Sequence, residues 1–103
     1  MALINTTSAS ETFITSSDAN TLKINSMSIC NTSANNAAEL DVYLKRVSDN
    51  TKFYLVKNLK IPSGINLYLT TKDYPYIFSF NRTAYRLAIQ NNGTNPSLTI
   101  ISK

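Results

Sequence analysis

The stretch from Glu39 to Leu69 places the tightest limit on what this chain can fold into, because apolar and polar residues alternate one by one in two of its segments, 40–45 and 65–69. A period of two is the pattern of a β-strand with one buried face and one solvated face. In its first part, inward and outward candidates follow in turn: Leu40, Asp41, Val42, Tyr43, Leu44, Lys45. The stretch therefore predicts a strand with Leu40, Val42 and Leu44 facing a core.

Two further strands follow within the same stretch. A polar turn at Ser48-Asp49-Asn50 leads into residues 53–56, which read as the returning arm of a hairpin. Pro62-Ser63-Gly64 then predicts a tight reversal, since proline fixes φ and glycine accepts a positive φ. Beyond it, Ile65, Leu67 and Leu69 resume the alternation.

The rest of the chain repeats this pattern at short intervals. Residues 1–10 are interpreted as an N-terminal arm or an edge strand, and residues 11–103 as one domain. Asn92-Gly93 predicts a tight hairpin turn, and a bulge is expected near Asn25-Ser26, where the parity of the apolar residues changes. The further strands are expected at 12–15, 21–31, 76–80, 85–90 and 98–101. We therefore predict an all-β chain, a single antiparallel β-sandwich of about seven or eight strands, either Ig-like or jelly-roll-like.

The charge and the cysteine content indicate which partners, and which compartment of synthesis, to expect. The net charge is +4 in 103 residues, but the basic residues are scattered, so we expect no nucleic-acid partner. Cys30 is the one cysteine and is expected to be a buried small hydrophobe, which favours synthesis in a non-oxidising compartment. The sequence shows no signal peptide and no apolar run of membrane-spanning length, so no membrane association is expected.

The sequence contains few residues of the kinds that catalyse reactions or bind metals. The chain has no histidine, and its six acids fall singly except for Glu39 and Asp41, which we interpret as a solvent-facing pair rather than a glycosidase site. Two glycines cannot supply a phosphate-binding loop, and one cysteine without histidine cannot make the usual zinc site. We expect no catalytic residue, no cofactor and no metal.

Aromatic residues supply the candidate interaction surface. Tyr43 and Tyr54 are predicted on the solvent faces of adjacent strands, where the two rings could stack. Tyr74 and Tyr76 flank Pro75 in a connection. Two arginines complete the candidate surface, Arg82 and Arg86. Such a group fits a protein–protein surface, where tyrosine is enriched; a platform for sugars or for single-stranded nucleic acid is the alternative.

Four segments together carry a resemblance to a known group of proteins: residues 21–33 (TLKINSMSICNTS), 40–44 (LDVYL), 52–69 (KFYLVKNLKIPSGINLYL) and 85–90 (YRLAIQ). The pattern resembles small β-sandwich virion proteins of tailed bacteriophages, found on capsids, necks or tails. The resemblance implies a non-enzymatic structural protein present in many copies. Its partners would be other virion proteins and copies of itself, and its location the virion, after synthesis in the bacterial cytoplasm.

A second function stays open at this point. A carbohydrate-binding or host-receptor-binding module, at a fibre tip or particle surface, would use Tyr74, Tyr76 or Tyr85 as its platform for a surface glycan.

Overall fold

Eight β-strands make up the computed structural model, which describes residues 2–14, 26–74 and 84–102. Predictions for the strand at 76–80, for Arg82 and Tyr76, and for the bulge at Asn25 fall outside these residues. In the described part of the chain no helix is long and apolar enough to cross a bilayer. The strands are β1 (Ala2–Thr6), β2 (Thr12–Phe13), β3 (Ser26–Asn31), β4 (Ala38–Arg46), β5 (Lys52–Ile61), β6 (Asn66–Thr70), β7 (Tyr85–Asn91) and β8 (Leu98–Ser102).

The strands form two four-stranded antiparallel sheets, so the predicted β-sandwich is confirmed. The first sheet has the order β1-β8-β3-β6, and the second has the order β2-β7-β4-β5. Strands pair from the outside in: β1 with β8, β2 with β7, β3 with β6 and β4 with β5. This is the connectivity of a long hairpin rolled into two layers, the jelly roll. An Ig-like sandwich would instead place its first two strands side by side in one sheet.

The core lies between the two sheets and is built by the alternation. In β3, Met27 and Ile29 point inward and are fully buried, while Ser26 and Ser28 point outward. The same rule operates in the other central strands, because each of them must bury one face. The buried residues of this core are Ile14, Met27, Ile29, Ala38, Leu40, Val42, Ile61, Leu69, Leu87, Ile89, Leu98 and Ile100.

The predicted hairpin is formed by β4 and β5, and it is irregular on one side. Its register shifts between Leu40 and Val42 and again between Val42 and Tyr43, so β5 carries extra residues against β4. Asn58, in the first of these bulges, has a positive φ of 56°. Asparagine tolerates this left-handed region better than most residues. Two bulges therefore twist β5, which lies at the edge of its sheet.

The turn at Pro62–Gly64 is confirmed. Ile65 donates its N–H to the Pro62 carbonyl at 3.1 Å, and Gly64 has a φ of +77°. This is the arrangement of a type II turn, which requires a positive φ at its third residue. The turn carries the chain from β5 in the second sheet to β6 in the first.

The tight hairpin predicted at Asn92-Gly93 is wrong, because β7 and β8 belong to different sheets. Here the connection crosses the open end of the sandwich, and the positive φ falls on Asn95 instead. Gly93 is needed for a different reason: a Cβ there would lie 2.6 Å from the Ala37 carbonyl oxygen. Close packing of two loops, rather than turn geometry, therefore explains this glycine.

Candidate functional site

The outer face of the second sheet combines aromatic rings with cations. The strand register aligns Phe13 with Ala88, Ala88 with Tyr43, and Tyr43 with Tyr54, in one row across all four strands. The adjacent row contains Arg86, Lys45 and Lys52. We call this surface the cationic face; it comprises Phe13, Tyr43, Lys45, Lys52, Tyr54, Lys57 and Arg86.

The rings of the cationic face are covered by the basic side chains beside them. The ammonium groups of Lys52 and Lys57 lie 5.0 Å and 4.1 Å from the ring centres of Tyr43 and Tyr54. Lys45 and Arg86 lie 5.7 Å and 5.3 Å from the centre of Phe13. Such pairs contribute about 0.5–1 kcal/mol at exposed sites. The aromatic surface is thus largely occupied by the chain's own cations.

Tyr43 is fully buried, so its predicted position on a solvent face is wrong. It does point away from the core, as the alternation requires, but other side chains cover it. Its hydroxyl donates a hydrogen bond to Glu11, which lies just before β2. The ring of Tyr54 lies 5.5 Å away at a tilt of 57°, which is the predicted contact across the hairpin.

Glu11 joins Tyr43 to Lys45 through a hydrogen bond to each of them. Its second oxygen accepts a hydrogen bond from Lys45 Nζ at 2.5 Å, and both side chains are mostly buried. Burial by itself raises the pKa of Glu11, but the hydrogen bonds from Lys45 and Tyr43 and the charge of Lys45 outweigh it and hold the pKa below its ordinary value. Burial, with the hydrogen bond to Glu11, raises the pKa of Tyr43. At neutral pH Tyr43 is therefore a hydrogen-bond donor to a carboxylate, not a base.

Asp41 is also buried rather than solvent-facing, contrary to the expectation for the Glu39–Asp41 pair. Its carboxylate accepts the Asn58 backbone N–H at 2.9 Å and the Asn92 side-chain amide at 3.0 Å, and Lys57 Nζ lies 3.7 Å away. These contacts fix the β5 bulge and the β7–β8 loop, which is a structural task.

Only two of the remaining predicted surface residues, Tyr54 and Arg86, lie on the same face as Tyr43. Tyr54 is 46% exposed and Arg86 is half-buried, both on the cationic face. Tyr74 is exposed but follows β6 of the first sheet. Tyr76 and Arg82 lie outside the described residues.

The outer face of the first sheet is different in kind: within the described residues of its four strands, no outward position holds a charged side chain. Register places Leu3, Ile101, Ser28 and Tyr68 in one row across the four strands. The outward residues are Leu3, Asn5, Ser26, Ser28, Cys30, Asn66, Tyr68, Thr70, Thr99 and Ile101. We call this surface the charge-free face. Cys30 lies on it and is half-buried, so the expectation of a buried core cysteine is wrong.

Polar side chains on the charge-free face bond to each other across the strands. Thr99 Oγ1 donates to Asn5 Oδ1 at 2.7 Å, and Ser28 Oγ donates to Asn66 Oδ1 at 2.7 Å. Large apolar groups stand at both ends of the Leu3 row, where Leu3 is 69% exposed and Tyr68 is 59% exposed. A face without charge, with paired polar groups and exposed apolar ends, has the composition of the central part of a protein–protein interface.

A shallow depression of about 250 Å³ lies at the loop end of the sandwich. Its polar groups are engaged within the chain: the Asn92 amide bonds to Asp41, and Glu39 faces Lys60 at 3.9 Å. The lining residues are Asn36, Ala37, Glu39, Asn92, Gly93 and Thr94. In the described part of the chain, no group of three or more cysteine or acidic residues could hold a metal ion.

Comparison with known proteins gives the fold and little more. No protein-family model matches the chain, and no curated protein matches it. The solved structure of the Anabaena sensory rhodopsin transducer is similar over 98% of this chain and 94% of that chain, with a TM-score of 0.51 and 14% sequence identity. At that identity the likeness concerns the fold alone.

Proposed function

We propose that the chain is a non-enzymatic structural protein of a tailed-bacteriophage virion, present in many copies, which decorates or cements the capsid, neck or tail through protein–protein contacts. The observation that carries the proposal is the unequal distribution of charge over the two sheets. Among the described residues, one outer face carries Lys45, Lys52 and Lys57, and the outward strand positions of the other carry no charged side chain.

The charge-free face supplies the contact surface. Charged residues are depleted at the centre of interfaces because they must lose their hydration there, and tyrosine is enriched. Tyr68 and Leu3 stand on this face with more than half of their surfaces exposed. A face of this composition across four strands is suited to burial against another protein.

The cationic face supplies the solvent side. Lys52 and Lys57 lie over the rings of Tyr43 and Tyr54, and the central carboxylate, Glu11, is already bonded to Lys45 and Tyr43. The edges of that sheet are also protected: β2 has two residues, and β5 carries Lys52, Lys57, Lys60 and two bulges. Short strands, lysines and bulges are the usual means of preventing edge pairing.

The jelly roll and the sequence resemblance agree with a virion role. Jelly rolls occur in viral capsid domains and in lectins, so the fold permits the proposal without establishing it. The choice of a phage particle rests on the resemblance to small phage virion proteins described above.

Particle composition tests the proposal. Particles of the phage that encodes this chain would be purified on a density gradient and analysed by quantitative mass spectrometry. We expect the chain in the particles, in many copies and in fixed ratio to the major capsid or tail protein. Its absence from particles, with the major structural proteins recovered, would contradict the proposal. Specific capture by a glycan array instead would support the receptor-binding alternative.

A further inference from the structure

The two edges of the first sheet lack the protection seen in the second. β1 has the sequence ALINT and β6 the sequence NLYLT, with no charge and no proline. Their registers with β8 and β3 run without a shift. An edge strand of this kind presents a row of free backbone N–H and C=O groups to another chain.

The ladder shows which backbone groups of β1 point outward. Thr32 donates its N–H to the Ser97 carbonyl at 3.0 Å, and this pair continues the β3–β8 register. Hydrogen-bonded pairs alternate in an antiparallel ladder, so Thr99 and Ile101 bond to β3. The other residues of β8, which include Ile100, must therefore bond to β1.

The backbone N–H and C=O groups of β1 therefore alternate in direction, one residue pointing to β8 and the next pointing away from it. Ile4 is the partner of Ile100, so its backbone groups, like those of Ala2 and Thr6, point to β8. The N–H and C=O groups of Leu3 and Asn5 point away from β8, to the edge where no described strand pairs with β1. Their side chains lie on the charge-free face, and Ile4 packs against the core from the inner side.

We propose that β1 pairs with β1 of a second copy of this chain, antiparallel about a two-fold axis at Ile4, so that the first sheets of two copies join into one continuous sheet. Leu3 of each copy then faces Asn5 of the other as a hydrogen-bonded pair that exchanges both backbone bonds. This register uses the free backbone groups of both residues. It also keeps the inner faces on one side, with Ile4 against Ile4 of the second copy.

A second copy fits this edge better than a charged partner does. The chain carries a net charge of +4, so two copies repel wherever their lysines meet. Within Ala2–Thr6 neither copy brings a charged side chain to the contact, and antiparallel pairing of identical strands is self-complementary. Leu3, the most exposed large hydrophobic residue of the described part, lies at this edge. Pairing covers one flank of it.

The inference rests on the proposed structural role, yet the two can fail separately. A chain found in particles but monomeric in solution would remove the β1 pairing and leave the role in place. A chain that pairs through β1 but is absent from particles would contradict the virion role and leave the β1 pairing in place.

Proline substitutions at matched edge positions test the pairing. Leu3→Pro removes one outward N–H from β1, and none of the N–H groups bonded to β8, which is the position where an edge strand tolerates proline. Tyr68→Pro is the matched control on β6. Asn31 donates its N–H to the Ile65 carbonyl and continues the β3–β6 register, so the Tyr68 backbone points away from β3.

Sedimentation equilibrium of the full chain from about 1 μM to about 1 mM gives the dissociation constants. We expect a dimer for the wild type, at least about tenfold weaker association for Leu3→Pro, and association within about threefold of wild type for Tyr68→Pro. Leu3→Lys, expected to weaken the dimer similarly, decides the case if Leu3→Pro does not fold. A monomeric wild type, or a Leu3 variant that associates as the wild type does, would overturn the pairing. Loss of association in Tyr68→Pro alone would overturn it in favour of β6.

Discussion

Asn31→Ala is expected to lower the free energy of unfolding by about 3 kcal/mol, because it leaves three polar partners in or near the core without their hydrogen bonds. Asn31 is fully buried at the end of β3. Its amide donates to the carbonyls of Asn36 at 2.8 Å and Ile61 at 2.9 Å, and its Oδ1 accepts the Ser33 N–H at 3.1 Å. The side chain thus ties a strand of each sheet to the loop after β3.

Urea unfolding of Asn31→Ala should show a lower midpoint with an unchanged slope, the sign of lost stability without lost compactness. Asn31→Asp is expected to be at least as harmful, because it puts a carboxylate oxygen against two carbonyls. Asn66→Ala is the matched control: Asn66 Oδ1 accepts a hydrogen bond from Ser28 Oγ on the surface, and we expect a loss under about 0.5 kcal/mol. An Asn31→Ala midpoint equal to that of Asn66→Ala would refute this role.

Glu11→Ala is expected to cost about 2 kcal/mol at pH 7, because it leaves the buried Tyr43 hydroxyl and the Lys45 ammonium without their acceptor. The loss should depend on pH. The folded-state pKa of Glu11 is lowered from 4.5, so its contribution is present above that pH and disappears as the pH falls through the lowered pKa. The stability difference from the wild type should therefore narrow in acid.

Thermal unfolding of Glu11→Ala and wild type between neutral pH and about pH 3 measures this difference. Glu39→Ala is the control, since Glu39 is half-exposed and faces the exposed Lys60 at 3.9 Å; we expect a change under about 0.5 kcal/mol. A constant gap between Glu11→Ala and wild type over the whole range would show that the carboxylate charge contributes nothing.

The local alternation of apolar and polar residues predicts most strands of this fold, but it does not predict which side chains cover their outer faces. The alternation around Leu40 and Val42 correctly assigns the inward face of β4, because a strand must turn successive side chains to opposite sides. It fails for Tyr43, since a residue facing away from the core is solvated only if nothing covers it. Glu11, far away in sequence, bonds to the Tyr43 hydroxyl, and no period-two pattern contains that contact.

Turn chemistry has a similar limit. Pro62–Gly64 forms the predicted turn, because proline and a positive-φ glycine determine the local backbone. Asn92-Gly93 has a strong hairpin signal, yet β8 continues into the opposite sheet. The choice of sheet is decided by the pairing of β8 with β1 and β3, which lie about seventy to a hundred residues away in sequence.

The charge-free face is not predicted by any single stretch of the sequence. Its residues come from four separate strands, and each strand contributes only two or three unremarkable side chains, such as Ser28 and Thr99. Only the strand order brings them onto one surface. The signal available in the sequence was the lack of charge at the outward positions of β1, β3, β6 and β8, which becomes visible once each strand's parity is assigned.

Labelling of Cys30 tests the central claim, that the charge-free face is the surface buried in assembly, most directly. Cys30 is the chain's one cysteine and lies in the row of Asn5, Thr99 and Asn66 on that face. Purified particles and the isolated folded chain would be treated with a maleimide, and the labelled fraction measured by mass spectrometry, with urea-treated particles as the fully reactive reference. We expect Cys30 to react at least about tenfold more slowly in intact particles than in the isolated chain. Equal rates in the two would contradict the account.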